Sequence, residues 1–163
     1  MSVSLKYAVV ERERRYLLAS LPEELAETPE TAEAVEIVDR YVDGTRLRLR
    51  EVRAADGTVT RKLTQKVRLG DDAAEVACTN LYLNDAEWSL LSALPGRGLS
   101  KTRYKVRRDG VVIVVDVHAD GTTVAEIDGS DGPAVTVPAW LDVVRDVTAD
   151  ESFTGAGLAQ PAG

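Results

Sequence analysis

The chain is predicted to be mainly β (α+β): an antiparallel meander of about eight strands with a few short helices. Three observations lead there. The dipeptides Asp43-Gly44, Asp56-Gly57, Asp109-Gly110 and Asp120-Gly121 each separate two strand-like runs, and Asp-Gly in that setting is the strongest short-range hairpin signal. The runs are rich in Val, Ile, Thr and Tyr and alternate with charged residues, the period of a half-buried strand. One stretch, Asn84 to Leu94, interrupts them with helical spacing.

Taken in order, Tyr7 to Leu18 reads as the first strand, and Leu21-Pro22-Glu23-Glu24-Leu25 as the start of a short helix. Proline is tolerated in a first helical turn, and acids favour that end. The acidic, Thr/Pro-containing stretch to Glu33 reads as loop. Strands follow over Ala34–Val42, Thr45–Arg53, Thr58–Leu69 and Glu75–Leu83. In the helix, Asn84 caps, Asp85 and Glu87 favour the N-terminus, and Trp88, Leu90, Leu91 and Leu94 form the apolar face before Pro95-Gly96 stops it. Lys101–Arg108, Val111–His118 and Thr122–Asp128 are the last three strands. From Pro138 onward the chain carries Trp140-Leu141 and a short helix near Ser152, and Ala156 to Gly163 is expected to fray. Trp88 and Trp140 read as packing anchors, and His118, beside Asp120-Gly121, as a strand-end surface residue.

At 163 residues the chain is expected to form a single domain with its core over about residues 5–158. Its 44% hydrophobic and 29% charged residues are ordinary for a globular protein. Val111 to Val115, the longest apolar run, is far too short to span a bilayer. A single Phe leaves little for base stacking. Cys78 stands alone, which excludes an internal disulfide and a thiolate-rich metal site, and it reads as a small buried apolar residue. With no signal pattern at the N-terminus, a cytoplasmic protein is expected.

The net charge of −7 conceals a segregation. Gly44 to Arg68 holds eight basic and two acidic residues, and Lys101 to Arg108 five basic and no acidic ones. From Asp109 onward there are ten acidic residues and only Arg145 opposing them. Net acidity argues against general nucleic-acid or membrane-surface binding. Positive charge confined to a few strands points to a local anion site.

Strand side chains alternate between faces. In Glu11-Arg12-Glu13-Arg14-Arg15, Glu11, Glu13 and Arg15 share one face. Two carboxylates about 7 Å apart with a guanidinium beside them suit a divalent cation next to an anionic ligand. Taken alone, the stretch reads first as a solvated face with cross-strand ion pairs. Arg46, Arg48 and Arg50 alternate with leucines; Lys62, Thr64 and Lys66 are in phase, as are Lys101, Arg103 and Lys105. Asp116 is the one carboxylate of an apolar strand, and Glu126 and Asp128 share a face. An open sheet that buries its leucines leaves rows of arginine in bulk water. A closed eight-stranded barrel, with short helices over its apolar outside and a wet, charged interior, accommodates both faces. It brings the five acids Glu11, Glu13, Asp116, Glu126 and Asp128 together with Arg15, Arg46, Arg48, Arg50, Lys66 and Arg103. Dry burial of unpaired charges costs several kcal/mol each, so such an interior holds either a polyanion with a metal or a set of mutual salt bridges.

Glu11-x-Glu13-x-Arg15, Arg48-Leu49-Arg50, Leu63-Thr64-x-Lys66, Lys101-Thr102-Arg103-Tyr104, the Asp116 strand, Ala125-Glu126-Ile127-Asp128, Pro138-x-Trp140-Leu141 and Val147-Thr148-x-Asp150 occur in this order. Together they resemble the triphosphate tunnel metalloenzymes, the CYTH superfamily, from residue 7 to about residue 158. The resemblance implies an eight-stranded antiparallel tunnel that binds a small-molecule triphosphate or polyphosphate with Mg²⁺ or Mn²⁺. It implies hydrolysis, of inorganic tripolyphosphate in the first place. Thiamine triphosphatase and adenylate cyclase activities, or a non-catalytic polyphosphate or nucleotide sensor, are the alternatives. Carried over by position, Glu11, Glu13, Asp116, Glu126 and Asp128 are the metal ligands. Glu126, Asp128 and Arg15 are the catalytic set, and Arg46, Arg48, Arg50, Lys62, Lys66, Lys101 and Arg103 bind substrate. Three positions depart from the family pattern. Arg15 stands where Lys is usual, Asp128 is one methylene short of Glu, and the fifth strand offers Thr79 and Asn80 where an acid is expected. A homodimer is the one protein partner allowed for.

Overall fold

The computed structural model describes residues 4–27, 32–71, 75–108, 110–129 and 136–161. Among them, eight strands form an antiparallel closed barrel: β1 (Val9–Leu18), β2 (Ala32–Val42), β3 (Leu47–Ala54), β4 (Val59–Arg68), β5 (Glu75–Tyr82), β6 (Gly96–Arg108), β7 (Val111–His118) and β8 (Thr123–Asp128). Their order around the wall is β5-β4-β3-β2-β6-β7-β8-β1. The first half of β1, Val9 to Arg12, closes the ring on β5, while Glu13 to Leu18 pairs with β8. A ninth strand, β9 (Val143–Asp146), joins the free edge of β1 at Tyr16 to Leu18 and was not foreseen in the sequence.

Turn chemistry acts as predicted. Gly57 and Gly121 take φ of +85° and +89°, where a side chain is strained, and Asp56 and Asp120 each accept the backbone N–H two residues on. Asp109, of the fourth Asp-Gly pair, lies outside the described residues, as does most of the acidic loop before β2. The strand β2 begins at Ala32, two residues earlier than its sequence pattern suggested, and β6 begins at Gly96 rather than Lys101.

The apolar core sits on the outside of the barrel. Tyr16, Leu18, Val106, Ile113, Val115, Ala125 and Ile127 project outward from β1, β6, β7 and β8. They are covered by Leu25 of helix α1 (Glu23–Glu27) and by Leu141, with Trp140 and Val137 packed against them. Each such fully buried branched or aromatic side chain contributes about 1.5 to 3 kcal/mol. The outward-facing residues of these strands are therefore spent on the core, which leaves the inward-facing set free to be polar.

The opposite wall is covered more thinly. The connection from β5 to β6 crosses the outside of β4, β3 and β2, carrying helix α2 (Asp85–Leu91). Asn84 and Glu87 form a capping box at its start, Arg61 of β4 reaches Asp85 and stacks under Trp88, and Arg40 of β2 donates to the Leu94 carbonyl. No residue of α2 is fully buried and Leu90 is 76% exposed, so the expected apolar face is not a core face. The anchor here is Trp88 against a guanidinium.

The C-terminal segment is ordered as far as residue 161 rather than frayed from Ala156; residues 162 and 163 lie outside the described residues. A 3₁₀ turn at Glu151–Phe153 leads into α3 (Gly155–Leu158), and Gln160 exchanges two backbone hydrogen bonds with Gly98. This segment closes the end of the barrel where β2 turns into β3. Within the described residues no helix is long and apolar enough to cross a membrane.

Candidate functional site

Cross-strand register places the charged residues. Asp39 faces Arg50 and Tyr41 faces Arg48 between β2 and β3; Arg50 faces Lys62 and Arg48 faces Thr64 between β3 and β4. Arg103 faces Asp116 across β6 and β7, and Arg15 faces Glu126 and Glu13 faces Asp128 across β1 and β8. All of these point inward, opposite to the apolar residues of the same strands. Inside the barrel they surround a cavity of about 400 Å³, the size of a small-ligand site.

Nine basic and four acidic side chains line it. Of the residues expected from sequence, Glu11, Glu13, Arg15, Arg46, Arg48, Arg50, Lys62, Lys66, Lys101, Arg103 and Glu126 are brought together there. Arg46 stands in the turn before β3, exposed, and not on the strand with Arg48 and Arg50. Two expected residues are not in the lining. Asp116 faces inward but is 1% exposed, sealed behind Lys101 and Arg103, which both bond it. Asp128 is exposed at the end of β8. Its position at the strand terminus, one side chain beyond Glu126 on the same face, explains why it reaches the rim instead of the interior.

Electrostatics divide the lining in two. Several charges neutralise each other. Arg50 bonds Asp39 at 2.6 Å through both Nε and Nη2, Lys66 bonds Glu11 at 2.9 Å, and Arg103 bonds Glu126 at 2.9 Å. Burial opposes ionisation of Asp39, Asp116 and Glu11, but Arg50, the Arg103/Lys101 pair and Lys66 respectively outweigh it, holding all three carboxyls below their ordinary range. Other charges are less well compensated. Lys62 has no ion-pair partner among the described residues, and burial followed by repulsion from Arg50 and Arg48 lowers its pKa. Arg48 donates to Thr64 Oγ1 at 3.0 Å and meets the already paired Asp39 only at 3.9 Å. Glu13 is the opposite case: the neighbouring Glu126 carboxylate, reinforced by burial, pushes it up to about 7.

That crowding of Glu13 and Glu126, with Glu11 also nearby, fits a divalent cation, which would relieve it. The three carboxylates are not drawn into a ready-made cage: no group of three potential ligands is assembled among the described residues. Arg15 lines the cavity while its guanidinium donates to the Thr148 carbonyl at 2.7 Å, so the Val147-Thr148 segment, which follows β9 along the edge of β1, anchors it.

Sequence reasoning missed Asp39, Tyr41 and the C-terminal lining residues Glu151 and Thr154, while Asn80, named only as a replacement for an acid, does reach the lining. For Asp39 the signal was present. Counting back from a two-residue Asp43-Gly44 turn pairs residue 41 with 46 and residue 39 with 48, which already sets Asp39 opposite an arginine; the observed four-residue connection shifts this by two, to 41 with 48 and 39 with 50. The Glu151–Arg68 contact, 83 residues apart, had none. His118 was expected at the surface; it is at a strand end but 5% exposed, because it faces inward opposite Lys101 and the C-terminal segment closes that end.

The fold is similar to that of the inorganic triphosphatase NE1496, with a TM-score of 0.58 at 23% identity over 94% of this chain and 97% of that one. It is also similar to the PH1819 protein from Pyrococcus horikoshii OT3, with a TM-score of 0.54 at 23% identity over 77% and 80% of the two chains. The likeness is one of fold. No protein-family model and no curated protein matches the chain.

Proposed function

We propose that this protein hydrolyses a triphosphate, inorganic tripolyphosphate in the first place, with Mg²⁺ or Mn²⁺. One observation carries the reading: nine bases against four acids converge on one cavity in a chain whose net charge is −7. The barrel shared with a protein known as an inorganic triphosphatase supports it.

Arg48, Lys62 and Arg46, which are least neutralised by protein carboxylates, would take the non-bridging phosphate oxygens, the arginines through forked contacts. Lys66 and Arg103 are already oriented by Glu11 and Glu126 and add to the clamp. Glu11, Glu13 and Glu126 are the residues that would hold the cation, whose bound charge neutralises phosphate oxygens as they gain negative charge. Arg103 occupies Oε2 of Glu126, leaving Oε1 to accept a hydrogen bond from a water aligned for in-line attack.

A second reading, a binder without turnover, is favoured by the engagement of Glu11 and Glu126 with Lys66 and Arg103. Incubation of the purified protein with tripolyphosphate, thiamine triphosphate, ATP and long-chain polyphosphate, each with Mg²⁺ and with Mn²⁺, separates the two. Phosphate release supports hydrolysis; tight binding with no release supports the binder; cyclic AMP from ATP would select a cyclase instead.

A further inference from the structure

The resemblance places Asp116 among the metal ligands, but its surroundings do not suit a cation. Lys101, Arg103 and Glu126 line the cavity and Asp116 does not; it is 1% exposed, beside a Lys101 that is 6% exposed. Its Oδ1 accepts from Arg103 Nε at 2.7 Å, and its Oδ2 accepts from Arg103 Nη2 at 2.8 Å and from Lys101 Nζ. A divalent ion touching this carboxylate would sit against two protein cations, and like charges repel strongly where water is excluded.

Register gives Asp116 another task. Arg103 stands on β6 opposite Asp116 on β7, and Glu126 stands on β8 opposite Val114. Arg103 nonetheless donates to Glu126 Oε2 at 2.9 Å through Nη2, so its side chain crosses the whole width of β7, two strand spacings or about 9.6 Å. Val114, the next inward residue of β7 on the way to Glu126, is apolar, so Asp116 is what holds the guanidinium as it crosses. The carboxylate takes the Nε–Nη2 edge as a fork, which fixes the plane of the group, and the same Nη2 then meets Glu126.

We propose that Asp116 is a positioning residue. Acting through Arg103, it holds Glu126 by Oε2 so that Oε1 faces the attacking water, and it takes no part in binding the cation. Lys101, Arg103, Asp116 and Glu126 bring two charges of each sign, so this wall is balanced before a ligand arrives. The inference rests on the reading of Glu126 as the acceptor for that water.

Two measurements test it. The first is tripolyphosphate hydrolysis at saturating Mg²⁺. Asp116→Asn keeps the shape but turns one acceptor oxygen into a donor facing Lys101 and Arg103. It is expected to lower kcat about tenfold to a hundredfold, the scale of a misplaced reacting group. KM should not rise, because a wall that loses a negative charge holds a polyanion no less well. Arg103→Lys, which keeps one charge beside Asp116 but loses the fork, should reproduce the loss of kcat even where Asp116→Asn does not fold. The second measurement is Mn²⁺ binding, followed by electron paramagnetic resonance without phosphate and so without turnover. Lys101→Met/Asp116→Asn removes one buried charge of each sign and should bind Mn²⁺ within about threefold of wild type, since the net charge beside the cation is kept. Glu13→Gln is the reference for losing a ligand. A loss of Mn²⁺ affinity in the double variant as large as that of Glu13→Gln makes Asp116 a cation ligand and overturns the proposal. A raised KM, or a lowered melting temperature with kcat unchanged, overturns it too, and all three outcomes leave the functional reading intact. A wild-type protein that releases no phosphate removes the functional reading, and this inference with it.

Discussion

Asp39 and Arg50 face each other across the β2–β3 ladder and join through two 2.6 Å hydrogen bonds, with the carboxylate 1% and the arginine 6% exposed. A pair so placed cannot be hydrated when broken. Asp39→Asn is expected to destabilise the protein by about 3 to 5 kcal/mol, because Arg50 is left buried and uncompensated. Denaturant unfolding checks this, and a loss under about 1 kcal/mol would show that the pair relaxes toward solvent.

Glu13 sets a pH dependence of unusual sign. Its carboxyl is raised from the ordinary 4.5 to about 7, chiefly by Glu126. A carboxyl raised in the folded state favours folding while it is protonated. That contribution is complete below about pH 4.5 and is lost as pH rises through about 7. In metal-free buffer, Glu13→Gln is therefore expected to be more stable than wild type at pH 8, by roughly 1 to 3 kcal/mol, and equal to it near pH 4. Adding Mn²⁺ should close the gap at pH 8 by stabilising wild type. Parallel melting curves of the two proteins across that range would contradict the assignment of Glu13 as the strained carboxylate.

Arg48→Ala and Glu13→Gln are each expected to lower tripolyphosphate hydrolysis at least about a hundredfold, the scale of removing a positioned charge from a reacting centre. The measurement is initial phosphate release at saturating Mg²⁺. Rates near wild type in both would remove these residues from the mechanism.

Glu126 and Asp128 share a strand face but not a place in the cavity. Glu126→Gln should cost at least about tenfold in rate, since it removes the negative charge at the cavity wall and replaces one of two acceptor oxygens with a donor. Asp128→Asn, at the exposed strand end, should stay within about threefold, as expected of a solvent-screened charge. Equal losses would mean that the rim folds inward around the ligand.

The strands, the turns and the charged faces were legible before any coordinates because their causes are local. Alternation in Arg46 to Arg50 states which side chains share a face whatever the strand pairs with, and Asp-Gly states where a hairpin turns. The helix α2 shows the limit of such reading. Its cap was correct to the residue, but Trp88, Leu90, Leu91 and Leu94 do not form a buried face, because the helix crosses a wall of long charged side chains rather than an apolar one. The fate of residues 156–161 was also outside local reach, since their order depends on Gly98 and on the barrel end they close.

What this sequence determined by itself is a barrel with an apolar outside and a charged inside, since period-two patterning and turn chemistry act over a few neighbouring residues. What the tertiary structure alone decided is which of the inward charges remain available. Asp116 is consumed by Lys101 and Arg103, Asp39 by Arg50, and Glu11 is tied to Lys66, while Arg48 keeps only Thr64 as a close hydrogen-bond partner. Those pairings depend on register and on closure of β1 against β5, and Coulomb and hydrogen-bond energies respond to distances that only the closed barrel sets.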